Sequence, residues 1–161
     1  MSTKKMPQLR VLVTDFCDSK CVYCRPTGEG NLECSGNRYL SLDVAIETAR
    51  IYHENGGTEI KISGGDTAFW PHLVDYVLYL KSVLKFERVE VITRSVKIKT
   101  IIDDLIAAGL DVLNFSLDTT CEKKYKVITG KKDFSEFCEV IRLCANRIYC
   151  KINMVIMMLI L

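Results

Sequence analysis

Hydrophobic and polar positions alternate along five short segments of this chain and recur at helical spacing between them. Alternation with a period of two predicts β-strands over 9–14, 58–63, 88–93, 111–118 and 149–157. Apolar side chains three and four residues apart predict helices over 41–55, 70–84, 98–106 and 134–146. Strands that alternate with helices are typical of a parallel sheet with right-handed crossovers, either a doubly wound sheet or a β/α barrel.

The polar positions of the predicted strands share one face of the sheet. In the fourth strand Leu113, Phe115 and Leu117 lie opposite Asn114, Ser116 and Asp118. The other strands place on the same polar face Arg10, Thr14, Lys61, Ser63, Lys151 and Asn153. A sheet covered by helices on both faces would be apolar on both. Unless the alternation is only local irregularity, the pattern favours a partial, open β/α barrel. Its polar interior would line a cavity, and the cations Arg10, Lys61 and Lys151 would face an anionic ligand there.

Composition narrows the function classes. The chain has 161 residues, 48% of them apolar and 26% charged, with a net charge of +2, which predicts one globular domain over 1–161. The acidic and basic residues are interspersed, so nucleic acid and anionic membranes are not expected partners. The amino-terminal residues lack the apolar core of a signal peptide, and no segment approaches a membrane span. A cytoplasmic location is therefore expected, where a disulfide framework is not.

Three of the eight cysteines, Cys17, Cys21 and Cys24, follow the first predicted strand. A structural zinc site or an electron-transfer cluster usually takes four protein ligands. Three thiolates can hold three irons of a four-iron cluster and leave the fourth open, as a catalytic metal requires. Of the remaining cysteines, Cys138, Cys144 and Cys150 are expected to be buried, Cys121 to be an exposed free thiol, and Cys34 to stay away from the cluster.

The spacing Cys17-x-x-x-Cys21-x-x-Cys24, with Tyr23 before the last cysteine, resembles the signature of the radical S-adenosylmethionine (SAM) enzymes. The resemblance implies a 4Fe-4S cluster on the three cysteines, SAM on the open iron, and a 5′-deoxyadenosyl radical that abstracts hydrogen from the substrate. It also implies SAM contacts from Tyr23 on the adenine side, from Gly64, Gly65 and Asp66, which resemble the family's GGE motif, and from Ser116 in a strand similar to NVSLD. Asp66 replaces the usual Glu, and Thr67 stands where proline is common.

Within this superfamily the chain resembles the GTP cyclases of molybdenum-cofactor biosynthesis, from about Leu9 to Val155. This likeness implies a GTP 3′,8-cyclase-like lyase, with GTP contacts from Arg10, Lys61 and Lys151 and an electron donor such as flavodoxin or ferredoxin. Departures occur at Ile92, where those enzymes have threonine, and at Arg94-Ser95, where they have Asn-Gly. A radical SAM enzyme acting on a peptide or another small substrate, or an inactive metal-binding fragment, are the alternatives.

The carboxyl-terminal end of the pattern predicts an incomplete barrel. Only five strands are visible, whereas the resemblance implies six βα units and a further domain with a second cluster. The segment 154–161 is expected to be a buried strand continuing the fifth. A bare apolar edge strand would pair with other chains, so aggregation or homo-oligomerisation is expected. Because the substrate half of the site would be missing, the chain alone is expected at most to cleave SAM without coupling this to product.

Overall fold

Five parallel strands form one sheet in the computed structural model, which describes residues 6–24 and 39–157. They are β1 (Leu9–Leu12), β2 (Glu59–Ser63), β3 (Arg88–Thr93), β4 (Val112–Ser116) and β5 (Tyr149–Asn153). Their order in the sheet is the order in the chain. Right-handed crossovers that all step in one direction place their helices on one face of the sheet. This topology confirms the open β/α barrel and excludes the doubly wound alternative.

The connecting helices are α1 (Leu42–Glu54), α2 (Leu73–Ser82), α3 (Ile102–Ala107), α4 (Glu122–Thr129) and α5 (Phe134–Ala145). Short 3₁₀ helices cover Thr67–Phe69 and Val96–Thr100, so the helix predicted over 98–106 is two helices in the structure. Ser41 caps α1 by accepting a hydrogen bond from the Val44 amide. The pattern did not predict α4, which ends at Gly130 in the left-handed conformation.

The core lies between the apolar face of the sheet and these helices. Ile60, Ile62 and Leu113 are completely buried, and the helices contribute Tyr76 and Phe137 against them. Burying a large apolar side chain stabilises a fold by about 2–3 kcal/mol, so this face is the main source of stability. The opposite face carries the polar strand positions, as the alternation predicted.

The fifth strand is shorter than predicted, and the expectation of a buried strand over 154–161 is wrong for its first residues. After Asn153 the chain leaves the sheet, and Ile156 is 92% exposed. The Val155 amide donates to the Asp118 side chain at 2.9 Å, so it is not available to a neighbouring strand. Residues 158–161 lie outside the described part of the chain. Self-association through this edge stays a prediction.

The cysteines outside residues 17–24 differ in their burial. Cys144 is buried and Cys121 is an exposed free thiol, as expected. Cys138 and Cys150 were expected to be buried as well but are only half-buried. Burial raises the pKa of Cys144 to about 11, which suits a structural thiol. Cys34 lies outside the described residues. Among the helices described, none is long and apolar enough to cross a bilayer.

Candidate functional site

One cavity at the carboxyl ends of the strands gathers the residues that the sequence assigned to cluster and SAM. The cavity has a volume of about 190 Å³. Its walls include all eight predicted residues of these two groups: Cys17, Cys21, Cys24, Tyr23, Gly64, Gly65, Asp66 and Ser116. Ser63, Ile92, Thr93 and Arg94 complete the lining. Side chains from three strand ends and one loop therefore meet at the edge where β/α folds build their sites.

The cysteine loop, residues 13–24 after β1, is held in place by the carboxyl-terminal end of α4 and by Lys131 just beyond it. The amides of Lys20 and Val22 each donate to a carbonyl at 2.9 Å, to Thr129 and Ile128 respectively. Lys131 adds an ion pair of 2.5 Å to Asp18. The helix that the pattern missed therefore anchors the loop that carries the three thiols.

The two glycines after β2 let this turn pack directly against the cysteine loop. The Gly65 amide donates to the Thr14 carbonyl at 2.6 Å. A Cβ on Gly64 would lie 2.4 Å from the Thr14 oxygen, and a Cβ on Gly65 would lie 2.2 Å from the Phe16 oxygen. Gly64 also has a φ of +153°, which favours glycine. The sequence reading assigned the glycines to close approach by a ligand, whereas the structure shows close approach by the chain's own backbone.

Asp66 joins this turn to the end of β3. Its carboxylate accepts hydrogen bonds from the Thr93 hydroxyl at 2.7 Å, from the Arg94 amide at 2.7 Å and from the Ala68 amide at 3.0 Å. The side chain is 2% exposed, and this burial raises the pKa of Asp66 even though the three donors lower it. Both carboxylate oxygens are occupied by these donors, so the side chain holds the walls of the cavity together.

A second polar cluster closes the cavity on the side of β4. The Tyr23 hydroxyl donates to Asp118 at 2.8 Å, and Arg94 donates both to the Tyr23 oxygen at 2.8 Å and to Asp118. Burial alone would raise the pKa of Asp118, but the Val155 amide and Arg94 outweigh it and hold this pKa below its usual range. Burial raises the pKa of Tyr23, so its phenol stays protonated at physiological pH.

The three predicted anion-binding cations lie on the polar face of the sheet, within β1, β2 and β5. Two of them share one carboxylate. Arg10 is opposite Lys61 in the register, and Lys61 is opposite Glu90. Glu90 is 1% exposed and pairs with Lys61 at 2.8 Å and with Lys151 at 3.1 Å. Asn114 donates to the same carboxylate at 2.8 Å. Arg10 is exposed at the edge strand, and within the described residues it forms no ion pair.

Sequence reasoning missed Glu90, Thr93 and the roles of Arg94 and Asp118. A signal existed for Glu90, because the alternation of β3 places it on the polar face between buried Val89 and Val91. Arg94 was noticed only as a departure from a resembling family. The sequence carried no signal that its guanidinium meets Tyr23, which is 71 positions away along the chain.

Three thiols that line one cavity form a donor set that fits an iron–sulfur cluster. No group of three histidine, cysteine or acidic side chains among the described residues is close enough to hold one metal ion. The thiol ligands of a cubane bind different iron atoms, so they stand farther apart than the ligands of one ion. Cys21 is buried, Cys17 half-buried and Cys24 exposed, and all three line the same cavity. Burial raises the pKa of Cys21, so ligation by iron would have to displace its proton.

An open β/α barrel with a three-cysteine loop over a glycine-lined cavity defines an iron–sulfur SAM site, and comparison with known proteins agrees. Residues 11–158 match the Radical SAM superfamily, and the chain belongs to that family. Its members are enzymes that use a 4Fe-4S cluster and SAM, so the expected class and cofactors are confirmed.

Curated relatives and solved structures add detail. The chain is 31% identical to molybdenum cofactor biosynthesis protein 1 of Drosophila melanogaster over 92% of its own length and 26% of the relative's. It is 34% identical to a probable GTP 3′,8-cyclase of Archaeoglobus fulgidus over 76% of its own length and 39% of the relative's. The crystal structure of Streptococcus suis SuiB bound to precursor peptide SuiA has a TM-score of 0.76 at 18% identity. That match covers 94% of this chain and 33% of SuiB. The chain thus spans less than half the length of the curated relatives named here.

Proposed function

We propose that this chain forms the cluster-binding and SAM-cleaving core of a GTP 3′,8-cyclase-like enzyme. The observation that carries the proposal is the single cavity that the three cysteines share with the glycine turn and Ser116. Identities of 31% and 34% to proteins of molybdenum-cofactor biosynthesis and GTP cyclisation support the reaction class. As a unit, residues 1–161 are proposed to be one radical SAM core domain.

Cys17, Cys21 and Cys24 would hold three irons of the cluster, and bound SAM would supply a 5′-deoxyadenosyl radical for hydrogen abstraction. The other residues shape and shield this site. Gly64 and Gly65 bring the turn after β2 against the cysteine loop, and Ser116 lines the same cavity. Tyr23 stays protonated and bound to Asp118, so it does not act as a base. Its side chain forms part of the cavity wall.

The polar face of the sheet would take the triphosphate of GTP. Arg10 is the cation that is exposed, whereas Lys61 and Lys151 are partly neutralised by Glu90. A triphosphate would therefore meet one exposed positive charge and two that already share a carboxylate. Arginine binds phosphate with a planar fork, so Arg10 is the strongest of the three candidates. A small acidic electron donor such as flavodoxin or ferredoxin is the proposed reductant.

The experiment is an anaerobic assay of the whole chain. The protein is reconstituted with iron and sulfide, mixed with SAM and dithionite, and assayed for 5′-deoxyadenosine by mass spectrometry, with and without GTP. We expect SAM cleavage in the wild type and none in Cys24→Ala, with Cys121→Ala as the matched exposed-cysteine control. A chain that holds a cluster but never yields 5′-deoxyadenosine would be an inactive metal-binding fragment, contrary to the proposal.

A second candidate is a radical SAM enzyme that acts on a peptide or another small substrate. Ile92 favours it, because this apolar side chain lines the cavity where the resembling cyclases have threonine. Two further departures, Thr67 and Arg94, make contacts within the fold. Thr67 donates to the Ile92 carbonyl at 2.7 Å, and Arg94 pairs with Asp118. GTP distinguishes the two candidates. Transfer of deuterium from deuterated GTP into 5′-deoxyadenosine supports the cyclase-like reaction and counts against the second candidate.

A further inference from the structure

A buried cation stands beside the three cysteines, and the function above does not use it. Arg94 directly follows β3 and lines the cavity together with Cys17, Cys21 and Cys24. Its side chain is only 7% exposed. A guanidinium keeps its charge at every physiological pH, so the cavity holds a permanent positive charge next to its thiols.

The two terminal nitrogens of this guanidinium differ. Nη2 is held by the carboxylate of Asp118 and by the Tyr23 oxygen at 2.8 Å. Nη1 is buried and has no hydrogen-bond partner within residues 6–24 and 39–157. Leaving a buried donor unpaired costs free energy, and the cost is larger for a charged group. Arg94 lines the cavity, so its guanidinium charge would stabilise a negative group bound there.

A cluster bound by three thiolates is such a negative group. When it accepts an electron its charge becomes more negative by one, and a nearby cation stabilises that reduced state. The effect is larger in a site that excludes water than at a surface, because the low dielectric strengthens it. Asp118 acts in the opposite direction, since its carboxylate destabilises added negative charge.

We propose that Arg94 is a positioning residue that fixes Tyr23 and the cysteine loop together with Asp118, and that its charge raises the reduction potential of the cluster. The inference rests on the cluster of the proposed function, but not on GTP as the substrate. Arg94 and Asp118 then form an ion pair whose two members shift the reduction potential of the cluster in opposite directions.

The test is a redox titration of the whole reconstituted chain with dithionite and mediators, followed by electron paramagnetic resonance of the reduced cluster. Arg94→Gln should lower the equilibrium constant for one-electron reduction of the cluster about tenfold, which corresponds to a reduction potential about 59 mV lower. Asp118→Asn should shift the potential upward. Arg94→Lys keeps the charge and should lie close to the wild type. Arg88→Gln removes a cation at the far end of the same strand and should leave the potential unchanged.

The role of Arg94 in positioning Tyr23 and the cysteine loop is measured separately, by the rate at which the cluster releases iron. Tyr23→Phe removes the hydroxyl that Arg94 and Asp118 hold without changing any charge, so it should keep the potential and release iron faster to a chelator. If Arg94→Gln loses its cluster, Asp118→Asn still tests the effect of charge on the potential, and Tyr23→Phe still tests the rate of iron release. Shifts of the same sign in Arg94→Gln and Asp118→Asn, or unshifted potentials in both, would overturn the inference. If the wild type bound no four-iron cluster, the proposed function would fall with it, whereas a normal cluster with unshifted potentials would remove this inference alone.

Discussion

The amide nitrogen of Gly65 lies 2.6 Å from the carbonyl oxygen of Thr14, and this contact joins the turn after β2 to the start of the cysteine loop. It is possible only because position 65 has no side chain: an added Cβ would lie 2.2 Å from the Phe16 oxygen. The geometry of the site therefore depends on two backbone segments that touch without any side chain between them.

Replacing Gly65 should open this contact and loosen the cysteine loop. We expect Gly65→Ala to lower the free energy of unfolding by about 3 kcal/mol, at the upper end of overpacking costs, because backbone must move to admit the methyl group. It should also lower the iron content after reconstitution. Urea unfolding and iron analysis measure the two effects.

Gly56→Ala is the matched control for that substitution. Gly56 has a φ of +87° but nothing within 4 Å of an added Cβ. It should cost only about 1 kcal/mol, the penalty of a left-handed conformation, and should leave the iron content unchanged. Equal losses of iron in both variants would show that the close approach at Gly65 does not matter.

The three cavity cysteines should be the protein's cluster ligands. We expect Cys17→Ala, Cys21→Ala and Cys24→Ala each to abolish the four-iron absorption and resonance signals, because an uncapped iron is readily lost from a cubane. Cys138→Ala removes a half-buried thiol on α5 and should retain them. A normal iron content in Cys21→Ala would contradict the ligand assignment.

Glu90 should contribute pH-dependent stability. Burial would raise its pKa, but hydrogen bonds from Asn114, Lys61 and Lys151 outweigh this effect and leave it lowered. A carboxyl whose folded pKa is lowered stabilises the fold above its unfolded pKa of about 4.3, and this contribution is lost as the pH falls further. Glu90→Gln should therefore cost about 2–3 kcal/mol at neutral pH, somewhat below a fully buried pair because the lysines are partly exposed. The difference in free energy of unfolding between wild type and Glu90→Gln should shrink below about pH 4.3. Urea unfolding at several pH values measures it.

The same carboxylate should weaken anion binding on the polar face. Glu90→Gln frees the charges of Lys61 and Lys151, so it should tighten binding of a nucleotide triphosphate, while Arg10→Ala should weaken it. Fluorescence titration with a labelled GTP analogue compares them, and iron content should be unchanged in both. Unaltered affinity in both variants would count against a triphosphate site on this face.

The link between the cysteine loop and α4 should be visible in hydrogen exchange. Lys131 pairs with Asp18 at 2.5 Å and with Asp133 at 3.3 Å, and Lys131→Met would remove both contacts. Partly exposed pairs of this kind contribute about 0.5–1 kcal/mol. We expect faster exchange of the Lys20 and Val22 amides, which donate to the segment beside this lysine. Lys132→Met changes the neighbouring exposed lysine and should leave these two amides protected.

Much of the fold followed from the alternation of side chains. The period of two located all five strands and separated apolar Ile60 and Ile62 from polar Lys61, because successive residues of a strand point to opposite faces. The spacing of Cys17, Cys21 and Cys24 located the candidate cluster. Strand ends were less well predicted. A pattern reports which face a residue belongs to, whereas the end of a strand depends on where its hydrogen-bond partners stop, as at Asn153.

Which polar groups would meet was decided only by the tertiary structure. Glu90 lies between Lys61 and Lys151 because β3 is between β2 and the β4–β5 pair in the sheet. The order of the strands cannot be predicted from the sequence of any single segment. Arg94 reaches Tyr23 because a strand end and a loop distant in sequence converge at one edge. Helix α4 anchors the cysteine loop through backbone groups, which every sequence carries alike. Local periodicity thus determined the elements and their faces. Long-range packing alone determined the partners of each charge, because contacts between residues distant in sequence exist only in the folded chain.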